Sequence, residues 1–423
     1  MEPCKERLTC RICGSAEFET VIDLGQQFIA SVFVTDKVPD QLAKPYPMDV
    51  VRCSAKTGCG LIQLRHTVDP RLMYADGYGY RSGLNEMMRR NLEEIVSQIE
   101  ETVGLRENDI VVDIGCNDGT LLNAYAIKGL DRVGFDPVAS IIATAREKGI
   151  DAINDFFSGK NFKLARPNQK AKAVTSIAMF YDLENPCEFV EDVSSILADD
   201  GIWVIELSYM PTMLEKVSFD TICHEHLEYY AVRQIEWMAS KYGLAVHNVL
   251  LNDVNGGSMR VFLRKVEIPL SKENELRMKE IREHEKSLLL DTDAPYKIFR
   301  EAVMKLRQDL LDLLTRLKHE GKKVYAYGAS TKGNVLLQYV GITPDLVPKA
   351  AERNPEKWGR YTLGTNIPII SEEEARKEKP DYFLVLPWHF FSGFVTREKA
   401  FLERGGKFIV PLPQIRIVGI DDK

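Results

Sequence analysis

Apolar residues before about residue 75 come in short runs cut by Gly, Pro and Asp, which predicts short strands joined by turns. Residues 84–103 change to a three-to-four spacing, with Leu84, Met87, Met88, Leu92, Ile95 and Val96 on one face, and predict an amphipathic helix. Apolar runs at 110–114, 132–135, 173–179 and 202–207 then alternate with helical stretches, the βαβ rhythm of a parallel sheet. A turn and a strand follow over 252–264. From 271 to 318 the chain is highly charged with spaced Leu and Met, and the break Asp291-Thr-Asp-Ala-Pro295 divides it into two amphipathic helices. A second α/β run occupies 323–328, 368–370, 381–387 and 407–411. The pattern divides the chain into a small lobe (1–75), an α/β domain (76–265), a helical connector (266–320) and a second α/β domain (321–423). No residue-level repeat relates the two α/β units.

Composition narrows the class. Of 423 residues, 45% are hydrophobic and 28% charged, an ordinary balance for a chain that buries several cores. The net charge of -7 argues against nucleic acid as a partner. No run approaches the roughly 18 apolar residues of a membrane span, and the first residues carry no apolar signal core. The expectation is a cytoplasmic monomer that binds small molecules and no membrane.

The first α/β strand leads into Asp113-Ile-Gly115-Cys-Asn117-Asp-Gly119. Nucleotides bind where the first strand of such a sheet ends, and glycines let the backbone approach them closely. The next strand ends in Asp136, placed to accept both ribose hydroxyls. Gly-x-x-x-Gly departs from the Gly-x-Gly-x-x-Gly of dinucleotide binders and looks like the first motif of class I methyltransferases. Asp113, Gly115, Asn117, Gly119 and Asp136 are therefore assigned to S-adenosylmethionine, with Asp155 and Phe156 as adenine contacts.

Five of the eight cysteines fall in the first 59 residues, a density that points to metal rather than disulfides. Cys10-Arg-Ile-Cys13-Gly followed by Cys53 and Cys59 reads as a structural zinc site. Its second pair is spaced more widely than usual.

Beyond the 202–207 strand lies His224-Glu225-His226. The spacing is wrong for a His-Glu-x-x-His zinc hydrolase. Two imidazoles, His224 and His226, flanking the Glu225 carboxylate suit proton removal near neutral pH, since histidine titrates nearby and a carboxylate can orient it and stabilise its cation; capping histidines bonded to backbone are the alternative. Gly328-x4-Gly333 lacks the Lys-Ser/Thr of a P-loop, but a Gly/Ser/Thr turn opening a helix attracts anions. Ser330, Thr331, Lys332 and Asn334, with Glu352, Arg353 and Asn354 beyond the next strand, are expected to hold a nucleotide diphosphate or ribose. Trp388 and His389 are expected to line the same crevice.

These motifs, with His-Glu-His-Leu-Glu-Tyr-Tyr230, Gly328-Ala-Ser-Thr-Lys-Gly-Asn334 and Glu352-Arg-Asn-Pro-Glu-Lys-Trp-Gly-Arg360 in order, resemble the sugar C-methyltransferases of deoxysugar biosynthesis over nearly the whole chain. The resemblance implies a zinc-binding N-terminal lobe, a central S-adenosylmethionine domain and a C-terminal Rossmann-like domain. It implies methylation of the carbon beside the ketone (C3, or less readily C5) of a dTDP- or GDP-linked 4-keto-6-deoxyhexose through an enolate. Glu225 and His226 match the family's catalytic pair, which implies His226 as base, Glu225 orienting it, and Tyr80 or His224 donating to the developing oxyanion. A tyrosine that often precedes that pair is Cys223 here, and Tyr80 is the substitute candidate. On the residues alone, an O- or N-methyltransferase of a small metabolite, or a non-catalytic nucleotide-binding scaffold, stand as alternatives.

Overall fold

The Ile110–Ile114 strand is buried along its whole length, as a central parallel strand covered on both faces must be. The computed structural model describes residues 3–35, 38–73 and 81–422. Around that strand a seven-stranded sheet runs in the order Leu244–Asn252, Ser258–Lys265, Leu197–Ser208, Ala171–Ile177, Ile110–Ile114, Asp131–Phe135, Asp151–Ile153. Ser258–Lys265 runs antiparallel to the other six strands. This is the class I methyltransferase sheet, and its strand ends 114–119, 135–138, 177–182 and 208–210 line one edge.

The second α/β unit has the order Ile369–Ser371, Ala350–Glu352, Val324–Tyr327, Tyr382–Val385, Lys407–Val410, Arg416–Val418. Numbered along the unit, the order is 3-2-1-4-5-6, the doubly wound dinucleotide-fold arrangement, with its crevice between the first and fourth strands. The last strand is antiparallel.

The first lobe carries a four-stranded sheet, Phe18–Gln27, Tyr46–Cys53 and Ile62–Leu64, whose outer member is Glu228–Tyr229. That fourth strand comes from the middle of the methyltransferase domain, so 76–265 does not form a closed unit. The two helices expected between 271 and 318 occupy Lys272–Ser287 and Ala294–His319. The second is no free connector. Tyr296, Phe299, Val303, Leu306, Leu310 and Leu314 form its buried stripe, each burial stabilising by about 1.5–3 kcal/mol. They share one core with the first lobe and the C-terminal unit, and Arg300 donates to the Val21 carbonyl at 2.8 Å. No helix among the described residues is long and apolar enough to cross a membrane.

Candidate active site

Past Ile114 the chain turns back through Gly115, Asn117 and Gly119, at φ 74°, 49° and 74°. A Cβ on Gly119 would lie 2.3 Å from Ile150 Cδ1, and one on Gly115 3.2 Å from Met179 Cγ, so the turn sits close against the strand ends. Asp136, one residue beyond the next strand, accepts the Asn117 N–H at 3.1 Å and the Val138 N–H at 2.9 Å. Each oxygen keeps a second lone pair. Burial raises Asp136, against these amides and Arg81. Burial also pushes Asp113 up to about 7, although the Thr175 hydroxyl donates to it at 2.6 Å. The Ser82 and Gly83 N–H groups bond Asn117 and Asp118 at 3.0 and 3.1 Å, stitching the approach to the first helix onto the turn. Asp155 and Phe156 are exposed beyond the Asp151–Ile153 strand. A glycine cradle with a carboxylate at the next strand tip fits S-adenosylmethionine.

In the first lobe the sulfurs of Cys10, Cys13, Cys53 and Cys59 all lie within 4.8 Å of one another. Cys10–Cys59 is 3.6 Å and Cys13–Cys53 is 3.5 Å. Four sulfurs tetrahedral about zinc at ~2.3 Å stand ~3.8 Å apart, so the donor set fits the ion. The wide 53–59 spacing is absorbed by a turn closed by Gly58 N–H on Ser54 O at 2.8 Å. Thiol donors drive Cys10 down while the same crowding pushes Cys53 up to about 12. A divalent cation removes that conflict by letting all four ionise. Between the first two ligands, Arg11 donates to Thr67 at 2.7 Å and lies 3.5 Å from the buried Glu228 carboxylate.

Glu228 belongs to the segment that carries His226. Glu228–Tyr229 pairs with Ile62–Leu64. The Leu227 N–H bonds the Tyr181 carbonyl at 2.7 Å, and the Leu64 N–H bonds the Leu227 carbonyl at 2.9 Å. His226 Nδ1 lies 2.7 Å from the Thr221 carbonyl. A carbonyl only accepts, so Nδ1 carries the proton and Nε2 holds the free lone pair. The ring packs on Tyr181 at 4.2 Å between centroids. Desolvation, reinforced by the Lys332 charge, outweighs the Thr221 bond and takes the imidazole down to about 4.

Two expectations about this run are corrected. Glu225 does not orient His226; the Thr221 carbonyl does, and both Glu225 oxygens are buried without a hydrogen bond. His224 is not beside His226. A turn closed by the His226 N–H on Cys223 O at 3.1 Å separates them, and His224 is buried edge-on against Tyr46. Burial holds it at about 4. Tyr80 lies outside the described residues. Cys223 is buried, and burial with the Glu225 charge raises its thiol well above the usual range.

Across the crevice, Ser330 caps the Thr331–Val340 helix, its hydroxyl accepting from the Gly333 N–H at 3.0 Å. Thr331 opens that helix and is half-buried. Lys332 does not lie at the mouth of the turn. Its Nζ donates to the Asn255 carbonyl at 2.6 Å, on the hairpin at the methyltransferase sheet edge. Asn334 is also corrected: its amide donates to the Ala30 carbonyl at 2.7 Å and ties the helix to the first lobe. Glu352, at the tip of the second strand, accepts the Ala329 and Asn354 N–H groups, both at 2.7 Å. Arg353 is exposed, and Asn354 caps the following turn.

The sequence offered no sign of Asp220, a buried carboxylate that accepts the Trp388 indole N–H at 2.8 Å. Burial raises it, opposed by Lys332. Its partner lies 168 residues away. His389 is half-buried beside Trp388, its Nδ1 buried and unpartnered, and desolvation holds it well below the usual histidine range.

Three family models match the chain: a methyltransferase domain over 84–249, a "C-methyltransferase C-terminal domain" over 253–413, and a "Putative zinc binding domain" over 10–74. The C-methyltransferase NovU of Streptomyces niveus is 30% identical over 415 residues, 97% of either chain. Among solved structures, the plantazolicin methyltransferase BpumL with a bound analog and SAH aligns at TM-score 0.35 and 14% identity, over 43% of this chain and 86% of that one. Magnesium protoporphyrin IX methyltransferase of Synechocystis PCC 6803 with bound SAH aligns at 0.34 and 12%, over 43% and 88%.

Proposed function

Because the chain belongs to the S-adenosylmethionine-dependent C-methyltransferase family, we propose that it methylates the ring carbon beside the ketone of a nucleotide-linked 4-keto-6-deoxyhexose, at C3 rather than C5. The observation that carries this reading is His226: an imidazole with Nδ1–H fixed on Thr221, Nε2 free, and a neutral resting state in a half-buried crevice. Carbon methylation requires such a base, because the C–H beside a ketone must be ionised first. Methylation of oxygen or nitrogen ionises no C–H, so exchange of the ring proton separates the two.

The C-terminal unit supports a nucleotide-linked substrate. Its first strand enters a Gly/Ser/Thr turn, and Glu352 stands where doubly wound folds put the ribose-binding carboxylate. Ser330, Thr331 and Arg353 remain the proposed contacts to diphosphate and ribose. Asn334 is withdrawn. Glu225, a buried acceptor with only the neighbouring Cys223 thiol acting on it, is suited to a sugar hydroxyl, since buried acceptors are rarely left unpaired.

In the proposed step, His226 Nε2 takes the proton beside the ketone and the electron pair moves onto the carbonyl oxygen. The resulting enolate carbon forms the new C–C bond as the donor's sulfur–methyl bond breaks, its electron pair leaving with the neutral thioether while the carbonyl re-forms, and His226 then gives its proton to solvent. S-adenosylmethionine, when bound at Gly115–Gly119, supplies an electrophilic methyl group. A positioned base contributes about 10²–10⁴-fold, the remainder coming from alignment and oxyanion stabilisation. Incubation with dTDP- and GDP-linked 4-keto-6-deoxyhexoses in D2O tests the reading. Deuterium beside the ketone and a carbon-bound methyl are expected, both lowered at least about a hundredfold by His226→Ala with S-adenosylmethionine binding retained. Transfer to oxygen or nitrogen, without exchange, would overturn it.

A further inference from the structure

An enolate needs a base for its proton and a partner for its oxygen, and His226 supplies only the first. Among the described residues of the crevice, potential donors are few. The Trp388 N–H is held by Asp220, and His224 is turned into the first lobe. Lys332 alone carries a positive charge that acts on His226, His389, Cys223 and Asp220 together. It reaches this position from the first turn of a C-terminal helix, crossing the interface to the Asn255 carbonyl. Asn255 is held at φ 54°, and the next residue, Gly256, lies so close to Trp388 that a Cβ there would be 3.3 Å from the indole. The lysine is therefore fixed in both depth and direction.

We propose that Lys332, aimed by the Asn255 carbonyl, is the cation that meets the enolate oxygen, and that Asp220, held by Trp388 on the same wall, is its positioning carboxylate. The proposal rests on the enolate reading above. One ammonium proton is on Asn255 and two remain, so one can face the substrate oxygen. At rest the lysine charge opposes protonation of His226. When the proton moves to Nε2, the negative charge formed on the substrate oxygen is neutralised by Lys332, so base and cation act in the same step. The proton stays on Lys332 throughout. Burial lowers Lys332, and Asp220 and Cys223 oppose that shift.

The test compares wild type with Lys332→Met, Lys332→Arg and Asp220→Asn, in exchange of the sugar proton in D2O and in methyl transfer. S-adenosylmethionine affinity and thermal midpoint serve as folding controls. Lys332→Met should lower both exchange and kcat at least about a hundredfold, with KM changed less than about threefold, the range of a lost oxyanion donor. Lys332→Arg should recover part of kcat because the charge is retained. Asp220→Asn should bring the alkaline limb of kcat to lower pH. A merely structural carboxylate would not do so. The charged or titratable groups facing Lys332 are Asp220, Cys223, His226 and His389. A raised KM with unchanged kcat in Lys332→Met would mean that the lysine grips the diphosphate, and would overturn the proposal. Wild type that neither exchanges nor methylates any sugar of the panel would overturn the enolate reading and this proposal together.

Discussion

The protonation state of His226 fixes how activity should fall in acid. Its imidazole stands at about 4, lowered by burial and by Lys332, against an ordinary 6.5. The base must be neutral, so activity is present above the folded value and disappears as pH falls through it. At pH 5.5 an imidazole at 4 is about 97% neutral, whereas one at 6.5 is about 9% neutral. The two cases differ about tenfold in kcat/KM, the quantity that reports the free enzyme. The assay is initial-rate methyl transfer at low sugar nucleotide from pH 4.5 to 8.5, with zinc content measured at each pH to separate loss of metal from loss of base. The expected profile is flat from 7 to about 5. Removing the cation should shift that limb upward, so Lys332→Met, although slow, should lose its residual activity at a higher pH than wild type. An acid limb near 6.5 in zinc-loaded protein, or no movement in Lys332→Met, would refute the assignment of His226 as a desolvated base beside a lysine.

Two further outcomes follow from the sites that frame the crevice. Zinc should be present at one ion per chain, and its removal, or Cys13→Ser, should abolish transfer while calorimetry still detects S-adenosylmethionine binding. The lobe sheet holds the His226 segment, whereas the cofactor turn belongs to another sheet. Gly119→Ala forces a Cβ toward Ile150 at a φ of 74°, and the resulting overpacking, about 1–3 kcal/mol, should weaken S-adenosylmethionine binding roughly tenfold or more in the same calorimetry.

Periodicity revealed most of the architecture because the two α/β units repeat a simple rule: a buried strand, a turn, then a helix. The strand at 110–114 and the helix pair interrupted at 291–295 are both local features, and the structure has them at Ile110–Ile114, Lys272–Ser287 and Ala294–His319. The cysteine cluster was readable for a similar reason, since thiol identity and turn glycines are written in the sequence. Chemistry at 224–226 was harder, because His-Glu-His adopts a turn rather than an extended run, so residues two apart do not share a side. One error was avoidable. Lys332 and Asn334 are two positions apart on a helix, about 200° around its axis, and cannot both face one crevice. Helical period alone separates the residue that reaches Asn255 from the one that bonds Ala30.

What no local rule contains is the joining of distant segments around His226. Thr221 acts through its backbone carbonyl, which residue type does not reveal. Asp220 meets Trp388 and feels Lys332 only after the two α/β units have closed on each other. Among the described residues the first lobe contributes no reacting group to this cluster, yet it supplies the strand edge on which Glu228 and Tyr229 are pinned. Three sheets thus converge on one short segment. The lobe is too small to build a large core alone, and four thiolates on one ion would stiffen the sheet edge that pairs with Glu228 and Tyr229, two residues from His226.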